Sequence, residues 1–272
     1  MSHNIVERNN VTITGDGEIP IIFAHGFGCD QHMWRFITPA FKDKFKIILF
    51  DYVGFGNSDT SAYKSERYNT LDGYVQDVLE VIDALELDDV IFVGHSVSSI
   101  IGALASIKEP QKFKHLIMIG PSPCYLNDPP EYYGGYDRST IEELLQLMQK
   151  NYIGWAEFFA PEVMKNEDKP ELTEELEESF CSTDPVIARE FAKATFLSDN
   201  REDLPEVDVP VLIIQCENDS IAPLRVGKYV HSQIKDSTLE VLPANGHCPH
   251  MSDPELTIEA IDNYLKQDLT RS

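Results

Sequence analysis

Three residues that lie far apart in the chain carry the side chains that nucleophilic acyl chemistry needs. Ser96 lies in Gly94-His95-Ser96-Val97-Ser98, after the apolar run Val90–Val93 and before a segment of small apolar residues. A buried strand that turns tightly into a helix would hold Ser96 in a strained conformation, with its hydroxyl exposed at the helix N-terminus. The pattern predicts a nucleophile. Taken alone, it equally fits an ordinary strand–helix junction capped by a serine.

A serine nucleophile needs a base, and the base needs a carboxylate that orients it. Asp219 follows the apolar segment Pro210–Cys216, and His247 follows a predicted strand over Thr238–Leu242. The carboxyl ends of parallel strands gather such groups at one edge of a sheet. The order serine, acid, histidine is also the order found in α/β-hydrolases. The sequence therefore predicts a Ser96–Asp219–His247 triad.

Acyl transfer also needs N–H donors for the oxyanion that develops on the substrate. The loop His25-Gly26-Phe27-Gly28 follows a predicted buried strand over Ile19–Ala24. Its backbone can direct the Phe27 N–H toward the pocket, and the Val97 N–H at the helix N-terminus is the second candidate. A simple turn is the alternative for this loop.

Other polar residues near these positions have simpler interpretations. We expect the side chain of His95 to leave the turn in another direction, His250 to form local hydrogen bonds, and Cys248 to serve packing. Gly54-x-Gly56 lacks a third glycine and a following helix signal, so it does not predict a dinucleotide site. No metal site or cofactor is expected.

Composition restricts the partners of the chain. Its 272 residues include 42% hydrophobic and 25% charged residues, and its net charge of −24 disfavours nucleic acid and anionic membranes. The five cysteines are scattered and never spaced Cys-x-x-Cys, which disfavours a disulfide framework or a zinc site. Residues 1–10 are polar and no apolar run is long enough for a membrane span, so we expect a cytoplasmic protein.

Apolar strand patterns alternate with helical ones along most of the chain, which predicts a single α/β domain over 1–272 with a mostly parallel sheet flanked by helices. Helices are predicted over Trp34–Phe45, with a break at Pro39, and over Leu71–Leu85, with Thr70 as N-cap. A further helix is predicted over Ile258–Leu269.

No convincing strand pattern occurs between residues 122 and 208, where four helices are predicted. We expect Ser139 and Glu142 to form a capping box, one helix to stop near Pro161, and Asp184 to cap the last helix. These helices would form a lid (122–208) over a core made of 1–121 and 209–272. Four aromatic residues either line an apolar cavity, which has no basic group for an anion, or belong to the core: Phe27, Trp155, Phe159 and Phe196.

The chain resembles the RsbQ-type bacterial α/β-hydrolases and, more distantly, the plant karrikin and strigolactone receptors. The similar segments span most of the chain: HGFGCDQ (25–31), LFDYVGFGNSD (49–59), GHSVSS (94–99), GPSPCYLNDPPEYYGG (120–135), NYIGW (151–155), FCSTDPVIAR (180–189) and NGHCPHMSDP (245–254). The resemblance implies the same triad and the same oxyanion donors. It also implies a pocket lined by Tyr125, Tyr136, Leu144, Trp155, Phe159 and Phe196. Ser98 stands where the general pattern has glycine, and the plant receptors also have serine there.

The resemblance implies a hydrolytic fold that serves signalling. An RsbQ-type protein is a positive regulator of the energy-stress branch of the sigma-B response, and it acts with a PAS-domain serine phosphatase. We therefore expect a serine hydrolase that acts on a small, largely apolar ester or lactone. The alternatives are a metabolic carboxylesterase without a partner and a ligand-binding receptor module with little turnover. The sequence identifies neither the ligand nor the oligomeric state.

Overall fold

The computed structural model describes residues 4–269, with side chains up to residue 266. Residues 1–3 of the polar N-terminal segment therefore lie outside the described part of the chain. The strands are β1 Thr12–Thr14, β2 Ile19–Ala24, β3 Phe45–Phe50, β4 Val90–His95, β5 Phe113–Ile119, β6 Asn127–Asp128, β7 Tyr132–Tyr133, β8 Val211–Asn218 and β9 Ser237–Asn245. The α-helices are α1 Ile5–Arg8, α2 Ser65–Tyr68, α3 Leu71–Ala84, α4 Val97–Lys108, α5 Arg138–Lys150, α6 Tyr152–Met164, α7 Pro170–Ser182, α8 Pro185–Phe196, α9 Leu224–Gln233, α10 Pro249–Ser252 and α11 Pro254–Leu269.

Seven strands form one twisted sheet in the order β1-β3-β2-β4-β5-β8-β9. All neighbouring strands in it are parallel except β1 and β3, which pair antiparallel at the edge. Strand β4 lies between β2 and β5, and all six of its residues are buried. Burial on both faces explains why β4 is continuously apolar up to Gly94. The predicted fold, an α/β-hydrolase with a mostly parallel sheet, is confirmed.

The helix predicted over Trp34–Phe45 is wrong. The chain forms two short 3₁₀ helices, Gln31–Trp34 and Thr38–Ala40, before β3 begins at Phe45. Pro39 has no N–H for a helical hydrogen bond, and its ring disfavours helical backbone at the residue before it.

The segment between β5 and β8 contains the four expected helices, α5–α8, which we call the inserted helices. It also contains a small antiparallel hairpin of β6 and β7, so the expectation of no strand here is wrong. The prediction of a core (1–121 and 209–272) and a lid (122–208) stays a prediction. No helix within residues 4–269 is both long and apolar enough to span a membrane.

The boundaries of the inserted helices differ in part from the prediction. Helix α5 begins at Arg138 with Asp137 at its N-cap, so Ser139 and Glu142 are not placed for a capping box. Helix α6 continues past Pro161 to Met164. The N-cap predicted at Asp184 is confirmed, because its carboxylate accepts hydrogen bonds from the first-turn N–H groups of α8.

Candidate active site

Ser96 lies at the turn between β4 and α4. Its backbone has φ 56° and ψ −121°, a region that residues other than glycine rarely adopt. The turn requires the strand and the helix to lie very close, since a Cβ on Gly94 would come 2.4 Å from the Ser98 carbonyl oxygen. Ser96 is buried at the N-cap position of α4, and its side chain makes no capping hydrogen bond to that helix.

The structure brings Ser96, His247 and Asp219 into one hydrogen-bonded chain. His247 Nε2 lies 2.7 Å from Ser96 Oγ, and His247 Nδ1 lies 2.6 Å from Asp219 Oδ2. All three side chains are buried. Each follows a strand of the sheet: Ser96 follows β4, Asp219 follows β8, and His247 follows β9. This arrangement can transfer a proton from the serine to the imidazole and hold the imidazole in one orientation.

Backbone groups fix the two partners of Ser96. Asp219 Oδ1 accepts hydrogen bonds from the N–H groups of Ile221 at 2.8 Å and Ala222 at 3.0 Å. The His247 ring lies against Gly120, where a Cβ would come 3.0 Å from the imidazole Cε1 and where φ is +60°. Glycine at this position therefore leaves room for the imidazole ring.

The loop that carries Phe27 is held by a second buried histidine. His25 Nδ1 donates to the Gly26 carbonyl at 2.9 Å, and its Nε2 accepts from the Tyr52 N–H at 3.2 Å. Burial lowers the pKa of His25, which favours the neutral imidazole that this pattern requires. Ser98 Oγ donates to the His25 carbonyl at 2.5 Å and lies 2.9 Å from Tyr52 Oη. Ser98 thereby links α4 to the loop. The oxyanion roles of the Phe27 and Val97 N–H groups stay predictions.

A small apolar cavity opens at Ser96. Of the predicted pocket residues, Phe27, Tyr125, Phe159 and Phe196 lie on its wall. Its volume is about 20 Å³, and a cavity needs roughly 10–15 Å³ to hold one water molecule. The closed structure therefore has room for about one water molecule.

Three predicted pocket residues do not lie on the wall of this cavity. Trp155 packs edge-on against Phe27, with ring centroids 5.9 Å apart, and so lies behind the wall. Tyr136 donates its hydroxyl to the Ser220 carbonyl at 3.3 Å, and Leu144 packs against the core. Aromatic and apolar residues at helical spacing predict burial, but the spacing does not tell the cavity wall from the layer behind it.

Other residues reach the cavity wall without having been predicted to do so: Cys29, Val163, Leu176, Phe180, Thr195 and Ile221. Leu176 and Phe180 are one helical turn apart on the apolar face of α7. This spacing is the sequence feature that could have predicted that they face the interior.

Two hydroxyl groups give the apolar cavity some polarity. Tyr125 Oη lies 3.4 Å from Ser96 Oγ, and burial raises the pKa of Tyr125 to about 12, so its O–H stays protonated at neutral pH. Thr195 Oγ1 is buried and has no hydrogen-bond partner among the described residues. It is therefore free to bond a polar atom of a ligand.

The C-terminal end of α6 is hydrogen-bonded to both loops that carry the partners of Ser96. The His247 N–H donates to the Val163 carbonyl at 2.8 Å. Ser220, next to Asp219, donates its hydroxyl to the Glu162 carbonyl at 2.7 Å. The inserted helices therefore help to hold Asp219 and His247 in place.

Two further buried histidines, His95 and His250, lie behind the triad. His95 Nε2 donates to the His247 carbonyl at 2.7 Å, so its ring points away from the Ser96 hydroxyl side of the turn. Neither ring nitrogen of His250 has a hydrogen-bond partner within the described part of the chain, which differs from the local hydrogen bonding expected for it. Burial lowers the pKa of His95 well below its ordinary value and that of His250 to about 3, so both are neutral at neutral pH.

Comparison with known proteins agrees with this geometry. The family described as alpha/beta hydrolase fold matches residues 19–254. The chain belongs to the α/β-hydrolase family. This α/β-hydrolase is 36% identical over 266 residues to the Karrikin insensitive 2 receptor CA of Petunia hybrida, covering 97% of this chain and 98% of that protein. It is 38% identical over 253 residues to the Strigolactone esterase D14 of Arabidopsis thaliana, covering 93% and 94% of the two chains. The structure of a hydrolase from Oleispira antarctica superposes with a TM-score of 0.95 at 48% identity, covering 96% of each chain.

Proposed function

We propose that the protein is a serine hydrolase that acts on a small, largely apolar ester or lactone. The observation that carries the proposal is the hydrogen-bonded chain from Ser96 Oγ through His247 to Asp219, at 2.7 and 2.6 Å, beside an apolar cavity. An isolated buried serine does not need an imidazole on one side and a carboxylate behind that imidazole, whereas a nucleophile does.

The mechanism follows from the role of each group. Ser96 Oγ attacks the substrate carbonyl while His247 Nε2 takes the hydroxyl proton, and Asp219 stabilises the imidazolium that forms. The N–H groups of Phe27 and Val97 stabilise the oxyanion. His247 then protonates the leaving alkoxide. A water molecule activated by His247 hydrolyses the acyl-enzyme.

The cavity supports an uncharged substrate. No lysine or arginine lies on its wall within the described residues, and its aromatic side chains favour apolar groups. The relatives include proteins named as a strigolactone esterase and a karrikin insensitive receptor. We propose that the inserted helices form a lid that moves to admit a ligand larger than water.

Replacement of the nucleophile tests the hydrolase proposal. Ser96→Ala should lower kcat for p-nitrophenyl acetate by about 10⁴-fold or more, because the covalent route is lost. Wild-type enzyme stopped during turnover should carry an acetyl group on Ser96 in a mass spectrum. Ser182→Ala, at an exposed serine of α7, is the control and should keep wild-type kcat. Wild-type kcat in Ser96→Ala would overturn the proposal.

We further propose that the protein is an RsbQ-type regulator that acts in the cytoplasm with a PAS-domain serine phosphatase in the energy-stress branch of the sigma-B response. This proposal is supported by three segments that resemble the RsbQ-type proteins and lie between β5 and β8: 120–135, 151–155 and 180–189. Ser96→Ala should abolish induction of a sigma-B reporter on energy stress, and Ser182→Ala should not. Full induction with Ser96→Ala would show that signalling does not require hydrolysis.

A receptor with little turnover is the second candidate. The small closed cavity favours it, because a ligand must open the site before it reaches Ser96. Release of many product molecules per protein molecule, with no pause after the first acyl-enzyme forms, would exclude a receptor that reacts only once. Fast hydrolysis of a common metabolite ester, with no phosphatase bound, would instead favour a metabolic carboxylesterase.

A further inference from the structure

Three potential metal ligands lie together behind the triad, and the proposed hydrolysis uses none of them. His95, Cys248 and His250 are 2%, 1% and 0% exposed. One imidazole nitrogen from each histidine and the sulfur of Cys248 lie within 4.8 Å of one another. The side chains come from the turn before α4 and from the α10 region, so the fold and not local sequence brings them together.

Three ring nitrogens of this cluster lack the partners that buried groups usually have, whereas His95 Nε2 donates to the His247 carbonyl. His95 Nδ1 and both nitrogens of His250 have no hydrogen-bond partner among residues 4–266. A buried nitrogen without a partner is unfavourable, and most buried polar groups are satisfied. The Trp34 ring packs on His250 with centroids 4.6 Å apart, which accounts for the position of the ring but not for its nitrogens.

The donor set and the spacing fit a zinc ion. Zinc binds imidazole nitrogen at about 2.0–2.1 Å and thiolate at about 2.3 Å, so tetrahedral ligands stand roughly 3.4–3.6 Å apart. Cys248 Sγ is already 3.9 Å from His95 Nε2, and the widest separation of 4.8 Å needs a movement of about 1 Å. We propose that His95, Cys248 and His250 bind a zinc ion, and that the bound ion inhibits hydrolysis at Ser96.

Access and charge favour the cation. His95 and Cys248 are among the residues that line the cavity beside Ser96, so the proposed metal site adjoins the active site. The net charge of −24 attracts cations to the molecule. On binding, the Cys248 thiol loses its proton to solvent and the thiolate forms the bond to zinc, while His95 Nε2 leaves the His247 carbonyl and binds zinc as the ring proton moves to Nδ1. Water completes the fourth position.

Inhibition follows from the covalent neighbours of the ligands. His95 precedes Ser96 in the chain, and Cys248 follows His247, so a ligand movement of about 1 Å also moves the nucleophile and the base. The His95 and His247 ring centroids are 5.0 Å apart. A cation held by His95 and Cys248, the sequence neighbours of Ser96 and His247, opposes the positive charge that His247 must take up when Ser96 attacks.

The first experiment measures binding without turnover. Purified full-length protein is titrated with CoCl₂ and with ZnCl₂, and thiolate-to-cobalt charge-transfer absorption and bound zinc are recorded. Wild type and Cys181→Ser, which lacks an exposed thiol, should each bind one ion with the thiolate band. Cys248→Ala and His250→Gln should lower affinity by more than about ten-fold, with loss of the band in Cys248→Ala. Equal binding in wild type and Cys248→Ala, or loss only in Cys181→Ser, would overturn the site.

The second experiment measures inhibition and rests on the proposed hydrolase activity. Hydrolysis of p-nitrophenyl acetate is followed against zinc concentration, with each variant normalised to its own rate in chelator. Zinc should inhibit wild type and Cys181→Ser reversibly, and Cys248→Ala should need more than about ten-fold more zinc. Stoichiometric binding without inhibition would overturn the inhibitory role. A protein that binds cobalt but hydrolyses no ester in chelator would contradict the proposed function and leave the metal site standing.

Discussion

Ser98 occupies the position where the nucleophile turn usually has glycine. A side chain larger than glycine at this position could be expected to press on the contact between β4 and α4. Instead, it forms hydrogen bonds to the His25 carbonyl at 2.5 Å and to Tyr52 Oη at 2.9 Å. A glycine would remove both interactions, so the serine stabilises the junction between the turn and the loop that carries Phe27.

Ser98→Gly should fold but lose about 1–3 kcal/mol of unfolding free energy for the lost buried hydrogen bonds, in addition to the helix cost of glycine. Urea unfolding measures this change. Ser106→Gly in the same helix is the control, since it carries the glycine cost and loses only a local bond to the Ala103 carbonyl. Equal losses in the two variants would show that the Ser98 bonds contribute nothing, and failure of Ser98→Gly to fold would contradict our interpretation of the turn.

Thr195 has a hydroxyl on the cavity wall that no described residue satisfies. Thr195→Val should keep the unfolding free energy or raise it by up to about 1 kcal/mol, because it removes a buried unsatisfied group. It should also raise KM for p-nitrophenyl acetate several-fold. Thr257→Val, which breaks a bond to the Asp253 carbonyl at 3.1 Å, should destabilise the fold instead. An unchanged KM in Thr195→Val would show that this hydroxyl does not bind the ligand.

At the scale of elements, α8 depends on its N-cap. Asp184 accepts hydrogen bonds from the Val186 N–H at 2.8 Å and the Ile187 N–H at 3.3 Å, and α8 carries Thr195 and Phe196 to the cavity. Asp184→Ala should lower the unfolding free energy by about 1 kcal/mol. Asp137→Ala, at an N-cap with no side-chain bond to its helix, should cost less. Thermal unfolding compares the two, and a larger loss in Asp137→Ala would contradict the capping argument.

The elements with strong local signals were predicted correctly from the sequence. Features that depend on contacts between residues distant in the chain were not. Local sequence alone indicates a buried strand at the apolar runs of β4 and β8, and it indicates a helix N-terminus at Asp184-Pro185. The helix expected over Trp34–Phe45 failed because Pro39 overrode an apolar pattern. The proximity of Ser96, Asp219 and His247 could be predicted because each lies in a loop after a predicted strand and the three occur in the chain order of α/β-hydrolases. Which residues line the cavity could not be predicted, because periodicity on α6 and α5 does not show which buried side chains face Ser96.

At the scale of the whole molecule, buried histidines make stability depend on pH. Burial lowers the pKa of His25, outweighing the opposing influence of the Asp51 and Asp30 carboxylates and the hydrogen bond to the Gly26 carbonyl. The unfolded chain therefore binds this proton at a higher pH than the folded chain does. The contribution of neutral His25 to the unfolding free energy should therefore be fully present above about pH 6.5. It should be lost progressively as the pH falls below that value.

This prediction is measured as the slope of unfolding free energy against pH between about 6.5 and 4.5. His25→Asn should reduce the slope by up to about 1.4 kcal/mol per pH unit, the contribution of one proton. His32→Asn, at an exposed histidine, should leave it unchanged. Identical slopes in His25→Asn and wild type would refute the assignment.

The hydrogen bonds from the end of α6 have a consequence for how the molecule operates. Helix α6, one of the inserted helices that we propose form a lid, accepts hydrogen bonds from both the His247 N–H and the Ser220 hydroxyl beside Asp219. If this lid opens as proposed, admitting a ligand would also loosen Asp219 and His247, and hydrolysis at Ser96 would require the return of α6. Under that proposal, ligand occupancy, the positions of Asp219 and His247 and the outer shape of the inserted helices would change together, which would let the proposed phosphatase partner sense the ligand from the surface.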